Sequence, residues 1–154
     1  MLEIKVSSEK DIPMIEELLL ESKLKLDSLD KVFPNSMIAY DSGNPVAAAG
    51  FSYAEKEAVI QYVVVQKRRQ REYLGDGIVK ALLNFADKKG IKWVYVKGID
   101  IGHFFSRVGF EEISYDHLLA TGSPFVKNQF NREDIIFTAT LPDFFLRACR
   151  SNKS

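Results

Sequence analysis

The chain has 154 residues, of which 46% are hydrophobic, so it can bury the core of one domain but has no room for a second. Lys and Arg total 21, as do Asp and Glu, and the formal net charge of +0 excludes an overall field that attracts nucleic acid or an anionic membrane. A count of 1 cysteine excludes an internal disulfide framework and a cysteine-based metal site.

The sequence shows neither a membrane-spanning run nor a signal peptide, and this indicates the compartment. No apolar run reaches the roughly 18 residues that a membrane span needs. The N-terminal residues do not contain the apolar core of a signal peptide. We therefore expect a cytoplasmic protein that needs no metal ion and binds neither nucleic acid nor membrane.

The N-terminal part of the chain predicts one strand and two helices. Residues 2–6 alternate apolar and charged side chains, as a half-buried strand does. Ser8 can cap a helix over residues 9–23, in which apolar residues recur on one face. The less regular stretch 24–34 predicts a short second helix that ends before Pro34.

The next part predicts a hairpin and a long strand. Residues 36–41 and 46–55 have strand composition, and the Asn44-Pro45 step between them is typical of a turn. A further strand covers residues 57–65. Its almost continuous apolar end predicts burial on both faces of a sheet.

A helix, a strand and a short helix are expected after this strand. The helix runs through residues 76–89 on the spacing of its apolar residues and ends at Gly90. Residues 91–96 then predict a buried strand. Residues 100–108 predict a short helix that is closed by Gly109.

The C-terminal part returns to extended structure. Residues 110–115 are strand-like, residues 116–132 are polar and irregular, and residues 133–141 predict a last strand that Pro142 ends. Residues 143–150 predict a terminal helical turn or two. The whole order indicates an α/β (α+β) fold, a single mixed, mostly antiparallel sheet with helices on both faces.

The turn QREYLG, residues 70–75, is the first candidate for a functional site. A turn that opens a helix presents unpaired backbone N–H groups at the positive end of the helix dipole, where phosphate binds readily. Gly75 has no side chain to block that approach. A turn of this kind also serves as a plain connection between strand and helix, so the residues alone leave both interpretations open.

Two separated segments resemble the signatures of one enzyme family. The first signature is Gln or Arg, two residues, Gly, one residue, then Gly or Ala, and Gln70 occupies its first position and Gly75 its last. The segment HFFSRVGF, residues 103–110, is similar to a second signature with an aromatic pair followed by Gly-Phe. On these residues the chain resembles the GNAT superfamily of acyl-CoA-dependent N-acetyltransferases, with a leaning toward its glutamate-acetylating and arsenic-resistance-associated members.

This resemblance implies a single acetyltransferase-like domain over residues 1–154, with residues 1–115 as the matched part and residues 116–154 as a more divergent C-terminal arm. It implies strands splayed around acetyl-CoA, the acyl donor, and direct attack on the thioester by the amine of a small, amino-acid-like acceptor. The cofactor-binding residues that it implies are Val63, Val64, Val65, Gln70, Arg71, Glu72, Tyr73, Leu74, Gly75, Phe104 and Phe105.

The chain departs from the family's pattern at two positions. Tyr73 stands where the signature has its first glycine, so its ring either points away from the turn or crowds the phosphate. Phe105 stands where many members carry a tyrosine that reprotonates the leaving thiolate, and a phenyl ring cannot donate a proton. For the catalytic base, Glu57 and Gln61 on the long strand are the candidates, although glutamates near a hairpin turn are usually solvated.

The same residues leave an alternative function open. Tyr73 and Phe105 favour, as an alternative, a CoA-binding domain that serves in sensing or protein interaction without catalysis. The basic run at residues 67–71 is also typical of nucleic-acid patches, but in this turn it serves better to hold phosphates.

Apolar residues within 143–149 predict a homodimer surface. His103 and His117 receive no catalytic role.

Overall fold

The structure, a computed structural model, describes residues 1–24, 32–69, 73–98 and 103–146. Its strands are β1 (Leu2–Val6), β2 (Ser36–Asp41), β3 (Asn44–Ala54), β4 (Glu57–Val65), β5 (Trp93–Lys97), β6 (Glu111–Ile113) and β7 (Ile136–Thr140). Its α-helices are α1 (Ile12–Glu21), α2 (Leu74–Lys88), α3 (Phe104–Val108), α4 (Tyr115–Thr121) and α5 (Pro124–Lys127). Short 3₁₀ turns occupy Glu9–Asp11, Phe33–Asn35 and Lys67–Arg69.

Within the described residues, seven strands form one sheet in the order β1-β2-β3-β4-β5-β7-β6. The pairs β1–β2, β2–β3, β5–β7 and β6–β7 are antiparallel, whereas β4 and β5 are parallel. The prediction of a single mixed, mostly antiparallel sheet with helices is therefore confirmed. No helix in the described part of the chain is both long and apolar enough to cross a membrane.

The described residues fall into two compact units, and the first comprises Met1–Ser52 with Gln61–Ala86. Its core cluster consists of Ile15, Leu18, Leu19, Val32, Ile38, Ala48, Tyr62 and Val64. Ser8 precedes the 3₁₀ turn Glu9–Asp11, which leads into α1, and its backbone N–H donates to Asp11 Oδ2 at 2.8 Å. The Tyr40 hydroxyl donates to Asp11 Oδ1 at 2.5 Å, which ties the start of α1 to β2.

The apolar face of α2 follows the predicted spacing. The buried residues of this helix are Leu74, Ile78, Val79, Leu82, Leu83 and Ala86. The ring of Phe85 lies 6.0 Å from that of Phe51 on β3. Gly90 follows the helix with a φ of +89°, the left-handed conformation that a helix end needs, so the predicted stop at this glycine is confirmed.

The second unit comprises Tyr53–Ile60 with Asp87–Ser154, as far as the structure describes it. Here β5 pairs in parallel with the start of β4 and antiparallel with β7. Two short helices, α4 and α5, contribute to its core cluster, which consists of Val59, Tyr95, Leu118, Val126, Phe130 and Ile136. The short helix α3 ends at Gly109, whose φ is +129°, as predicted.

The turn between β2 and β3 differs from the prediction. Ser42 and Gly43 form it with φ values of 51° and 86°, whereas Asn44 and Pro45 are the first residues of β3. A two-residue hairpin turn needs positive φ at both central residues, and proline is fixed at negative φ. The Asn-Pro step therefore follows the turn and does not form it.

Residues 116–132 are not irregular as predicted, because α4 and α5 occupy most of this stretch. The Ser114 side chain caps α4 by accepting the N–H of His117 at 3.1 Å. The Ser123 side chain caps α5 by accepting the N–H of Val126 at 3.4 Å. Helices of this length are too short to show a clear apolar period, which is why the sequence pattern does not reveal them.

Most of the predicted second helix, residues 24–34, lies outside the described residues. At its described end, Phe33–Asn35 form a 3₁₀ turn that contains Pro34. In the described residues, α-helical structure ends at Val32, before Pro34, and the 3₁₀ turn follows it. Proline is tolerated in the first turn of a helix because its missing N–H would have no partner there.

The predicted homodimer surface, residues 143–149, is partly an internal surface. Phe144 is 2% exposed, and its ring lies 5.7 Å from that of Phe110. Leu146 is 64% exposed, and residues 147–149 lie outside the described part of the chain. The homodimer stays a prediction, but Phe144 belongs to the core and cannot contribute to such a surface.

Candidate functional site

Tyr73 lies at the entrance to α2 in an unusual backbone conformation. Its φ is 62°, which is in the left-handed region, and its side chain is 85% exposed. Its carbonyl oxygen accepts the N–H of Gly77 at 3.1 Å and so closes the first turn of α2. Glycine adopts this conformation without cost, which explains why a glycine occupies this place in the signature. The ring of Tyr73 points into solvent.

The first turn of α2 presents backbone N–H groups next to a residue without a side chain. The amides of Leu74, Gly75 and Asp76 precede the bond from Gly77, so they stand at the positive end of a 15-residue helix. The carboxylate of Asp76 is bonded to Lys80 at 3.0 Å, which offsets its negative charge. This end of the helix therefore suits an anion.

Gln70, Arg71 and Glu72, three of the predicted cofactor-binding residues, lie outside the described residues. The predicted turn is thus described on its two sides, up to Arg69 and from Tyr73 onward. Their proposed contact with phosphate stays a prediction.

The end of β4 is buried on one side only. Val64 is 2% exposed in the core of the first unit, whereas Val63 and Val65 are half-buried. The expectation of burial on both faces is therefore wrong for this end of the strand. Successive side chains of a strand point to opposite faces of the sheet. Both faces of this run are therefore apolar, but only the face that carries Val64 is fully buried.

The parallel pairing of β4 covers only the start of the strand. Its register joins Glu57, Ala58 and Val59 to Trp93, Val94 and Tyr95, in that order. Beyond this register β4 continues to Val65, and Gln66–Arg69 lie between the strand and the predicted turn.

The segment Gln66–Arg69, between β4 and the predicted turn, is tied down by three elements of the first unit. Gln66 donates its N–H to the Val46 carbonyl at 2.8 Å, and Lys67 donates its N–H to Glu21 Oε1 at 3.0 Å. Arg69 Nη1 lies 2.6 Å from Asp41 Oδ2.

A cavity of about 370 Å³ lies beside this segment, and charged residues of both signs line it, among them Glu17, Glu21, Asp41, Arg68 and Arg69. The hydrogen bond from Arg69, followed by one from the N-terminal ammonium, holds the pKa of Asp41 below its usual range. Sequence reasoning misses Glu21 and Asp41, since their partners lie 46 and 28 residues away along the chain.

Phe104 and Phe105 lie in the second unit. Phe105 is 5% exposed, and its ring centroid is 5.0 Å from that of Phe104, 5.4 Å from Phe110 and 5.9 Å from Phe137. Phe104 is half-buried. The surroundings of Phe105 are thus an aromatic cluster in the core, and contact of either residue with a cofactor stays a prediction.

Glu57 is a half-buried carboxylate rather than a solvated one. Its Oε2 accepts the N–H of Ser123 at 3.3 Å. Burial, together with the nearby charge of Glu57, raises the pKa of Tyr95 to about 12, so this hydroxyl stays protonated at neutral pH. Sequence reasoning does not find Tyr95, because its strand reads as ordinary core.

Gln61, the second catalytic candidate, donates from Nε2 to Ser52 Oγ at 2.8 Å in the first unit. His103 and His117 are both exposed. Among the described residues, no three His, Cys, Asp or Glu side chains are grouped as a metal ion would require. The described candidates thus divide between the units, with Gln61, Val63–Val65 and Tyr73–Gly75 in the first, and with Glu57, Phe104 and Phe105 in the second.

No family model and no curated protein matches the chain, whereas solved structures do. N-acetylglutamate synthase from Neisseria gonorrhoeae, in complex with coenzyme A and N-acetyl-glutamate, matches 92% of this chain with a TM-score of 0.75 and 21% identity. This chain covers 35% of that chain, so it spans about a third of the synthase.

Two further structures have nearly the length of this chain. An acetyltransferase of the GNAT family from Staphylococcus aureus Mu50 matches 92% of this chain and 99% of its own, with a TM-score of 0.70 and 15% identity. A Mycobacterium tuberculosis protein in complex with CoA matches 90% and 99%, with a TM-score of 0.70 and 19% identity. These likenesses show that the chain has the GNAT acetyltransferase fold, as the resemblance implied. A fold carries more than one function, so the fold alone does not assign an activity to this chain.

Proposed function

We propose that the protein is a cytoplasmic N-acetyltransferase that moves an acetyl group from acetyl-CoA to the amine of a small, amino-acid-like acceptor. The observation that carries this proposal is the junction between β4 and α2 within a GNAT fold. There Tyr73 takes a glycine-like conformation with its ring in solvent, and Gly75, which has no side chain, is the second residue of α2.

The residues at this junction fit a diphosphate. The backbone N–H groups of Tyr73, Leu74 and Gly75 would hold it, since the helix dipole favours negative charge at this end. Arg68 is exposed close by in the chain and would add positive charge. The pantetheine arm would run along the half-buried side of Val63–Val65, bonded to the backbone.

The bound donor supplies a thioester, which an amine cleaves in a single transfer. The amine nitrogen forms a bond to the carbonyl carbon, the C–S bond breaks, and the sulfur leaves as a thiolate. A backbone N–H near Val65 would support the charge that develops on the carbonyl oxygen. Phe105 cannot return a proton to the sulfur, but a thiol with a pKa near the cysteine value of about 8.5 is a tolerable leaving group without help.

Glu57 is the residue that we propose as the proton acceptor, through water, with Gln61 as a polar neighbour on the same strand. The N–H of Ser123 donates to the Glu57 carboxylate and helps to orient it. An oriented carboxylate within one water molecule of an amine can act as a general base.

The acceptor class is supported by one comparison. The Neisseria synthase binds N-acetyl-glutamate together with coenzyme A, which suits an acceptor with an α-amine and a carboxylate. Because the present chain corresponds to about a third of that protein, the acceptor is part of the proposal.

Two measurements test the proposal. Isothermal titration of the protein with acetyl-CoA should give saturable binding, and thiol release should depend on an amine when a panel of amino acids, polyamines and peptides is supplied. Amino acids are expected to give the highest kcat/KM. Binding without turnover on any amine would instead support the sensor or interaction domain, the alternative that Phe105 favours. Absence of binding would overturn both functions.

A further inference from the structure

We propose that Gly122 is a positioning residue for the carboxylate of Glu57. Gly122 lies in the link between α4 and α5, and the next residue, Ser123, is the one whose N–H donates to Glu57 Oε2 at 3.3 Å. The inference rests on the proposed function, because this N–H matters for turnover only if Glu57 accepts the proton of the amine. Gly122, Ser123 and Glu57 all belong to the second unit.

The place of Gly122 has no room for a side chain. A Cβ atom there would lie 2.9 Å from the carbonyl oxygen of Leu118 and 3.3 Å from Leu118 Cδ1. Both distances are shorter than the roughly 3.5 Å of a favourable contact between heavy atoms. The φ of Gly122 is −83°, which any residue adopts, so the close approach to Leu118 and not the backbone conformation requires glycine here.

The residues on either side of the link are fixed in the core. Leu118 is 0% exposed and belongs to the core cluster of the second unit, and its carbonyl oxygen accepts the N–H of Gly122 at 2.7 Å. On the other side, Ser123 Oγ accepts the N–H of Val126, which is also 0% exposed in this cluster. The link is thus held between two buried residues, and these contacts determine where the N–H of Ser123 points.

A larger residue at position 122 would therefore displace the link, and the N–H of Ser123 would move with it. The bond to Glu57 is at the long end of the range for N–H···O hydrogen bonds, so a small displacement is enough to break it. Glu57 would keep its charge but lose the donor that orients it. Misplacing a catalytic group slows the chemical step, whereas binding of the acyl donor, which we propose for the first unit, should not change.

The experiment measures thiol release from acetyl-CoA, with each standard amino acid in turn, in the variants Gly122→Ala and Ser123→Pro. The second variant deletes the N–H itself, and the backbone suits proline because Ser123 has a φ of −75° and Gly122 before it is extended. Each variant should lower kcat about 10-fold and leave the KM for acetyl-CoA within about 2-fold. Ser123→Ala keeps the N–H and loses only the cap of α5, so its kcat should fall less than about 3-fold.

A double-mutant comparison separates positioning from a general loss of packing. If Gly122 acts through Glu57, then Gly122→Ala and Ser123→Pro should each lower kcat by less than about 2-fold in the Glu57→Gln background. The control is Thr121→Ala, which removes the 2.8 Å hydrogen bond from Thr121 Oγ1 to the His117 carbonyl at the end of α4. It should leave kcat within about 2-fold in both backgrounds.

The possible outcomes distinguish this inference from the proposed function. If turnover depends on Glu57 but Gly122→Ala and Ser123→Pro keep a normal kcat, the inference is overturned and the proposed function stands. Equal losses in the wild-type and Glu57→Gln backgrounds would show that Gly122 only supports packing. A wild type without amine-dependent thiol release would remove the proposed function, and a normal kcat in Glu57→Gln would remove the role of Glu57, in each case with the inference. If Gly122→Ala does not fold, Ser123→Pro decides alone.

Discussion

Tyr73 and Phe105 are the two positions where the chain departs from the acetyltransferase pattern, and they occupy contrasting surroundings. Tyr73 is 85% exposed and has a left-handed backbone, so this residue strains the main chain while its ring lies in solvent. Phe105 is 5% exposed among aromatic rings, so it favours packing and lacks a hydroxyl. Binding groups that are backbone amides survive a change of side chain, whereas a proton donor that is a side chain does not. Variants near the turn should therefore alter affinity, and variants of the second unit should alter turnover or stability.

The largest effect is expected from Gly75→Val. A branched side chain in the first turn of α2 would stand where the diphosphate meets the backbone amides, so affinity for coenzyme A should fall about 100-fold, or about 2.7 kcal/mol. Isothermal titration measures the change. The control is Gly75→Ala, which the family's signature accepts and which should stay within about 3-fold of the wild type. Tight binding by Gly75→Val would place the diphosphate elsewhere.

Glu57→Gln tests whether a residue of the second unit alters turnover. If Glu57 takes the proton of the amine, kcat at neutral pH should fall about 100-fold, with the KM for acetyl-CoA nearly unchanged. The difference should shrink as pH rises, because the free amine then forms in solution. Tyr95→Phe, which removes the hydroxyl near Glu57 but keeps the carboxylate, should lower kcat only about 3-fold. A Glu57→Gln variant with normal kcat and a lower melting temperature would make Glu57 a structural residue that holds Ser123.

Phe105→Tyr should destabilise the fold and should not restore a proton donor. The added hydroxyl would be buried among aromatic rings, at a cost of about 1–3 kcal/mol in the free energy of unfolding. Urea denaturation gives that number, and thiol release gives kcat. In the matched control Phe104→Tyr, the ring is half-buried and the hydroxyl can reach water, so the loss should be below about 0.5 kcal/mol. A gain in kcat for Phe105→Tyr would show that this position does reach the reacting atoms.

The smallest effect is expected from Tyr73→Gly. Glycine removes a left-handed strain of about 1–2 kcal/mol but adds about 0.5–1 kcal/mol of chain entropy to the unfolded state. The net gain should be about 0.5 kcal/mol, with coenzyme A affinity within about 3-fold of the wild type. Thermal and urea unfolding measure it. Tyr73→Ala keeps the β-carbon and should show no gain, so equal stability of the two variants would contradict the strain argument.

Local signals in the chain predict much of the fold. The apolar face of α1, the face of α2 and the two stops at Gly90 and Gly109 agree with the structure, because a helix must bury one stripe and end where its backbone can reverse. The predictions that the structure contradicts concern places where the local signal is weak. The helices α4 and α5 are examples, since they are short and hold together by contact with distant residues.

The candidate site also contains features that the local sequence predicts and features that depend on distant residues. Gly75 and its place at a helix start are visible in the sequence, since a helix start needs only neighbouring residues to form. The direction of the Tyr73 ring, the burial of Phe105, and the pairs Glu57–Tyr95 and Asp41–Arg69 depend on residues far apart in the chain. Short-range patterns thus determine which backbone groups lie at a helix start, while long-range packing decides which side chains are exposed, buried or paired. The reason is that hydrogen-bond periodicity acts over a few residues, whereas burial and ion pairing act across the folded surface.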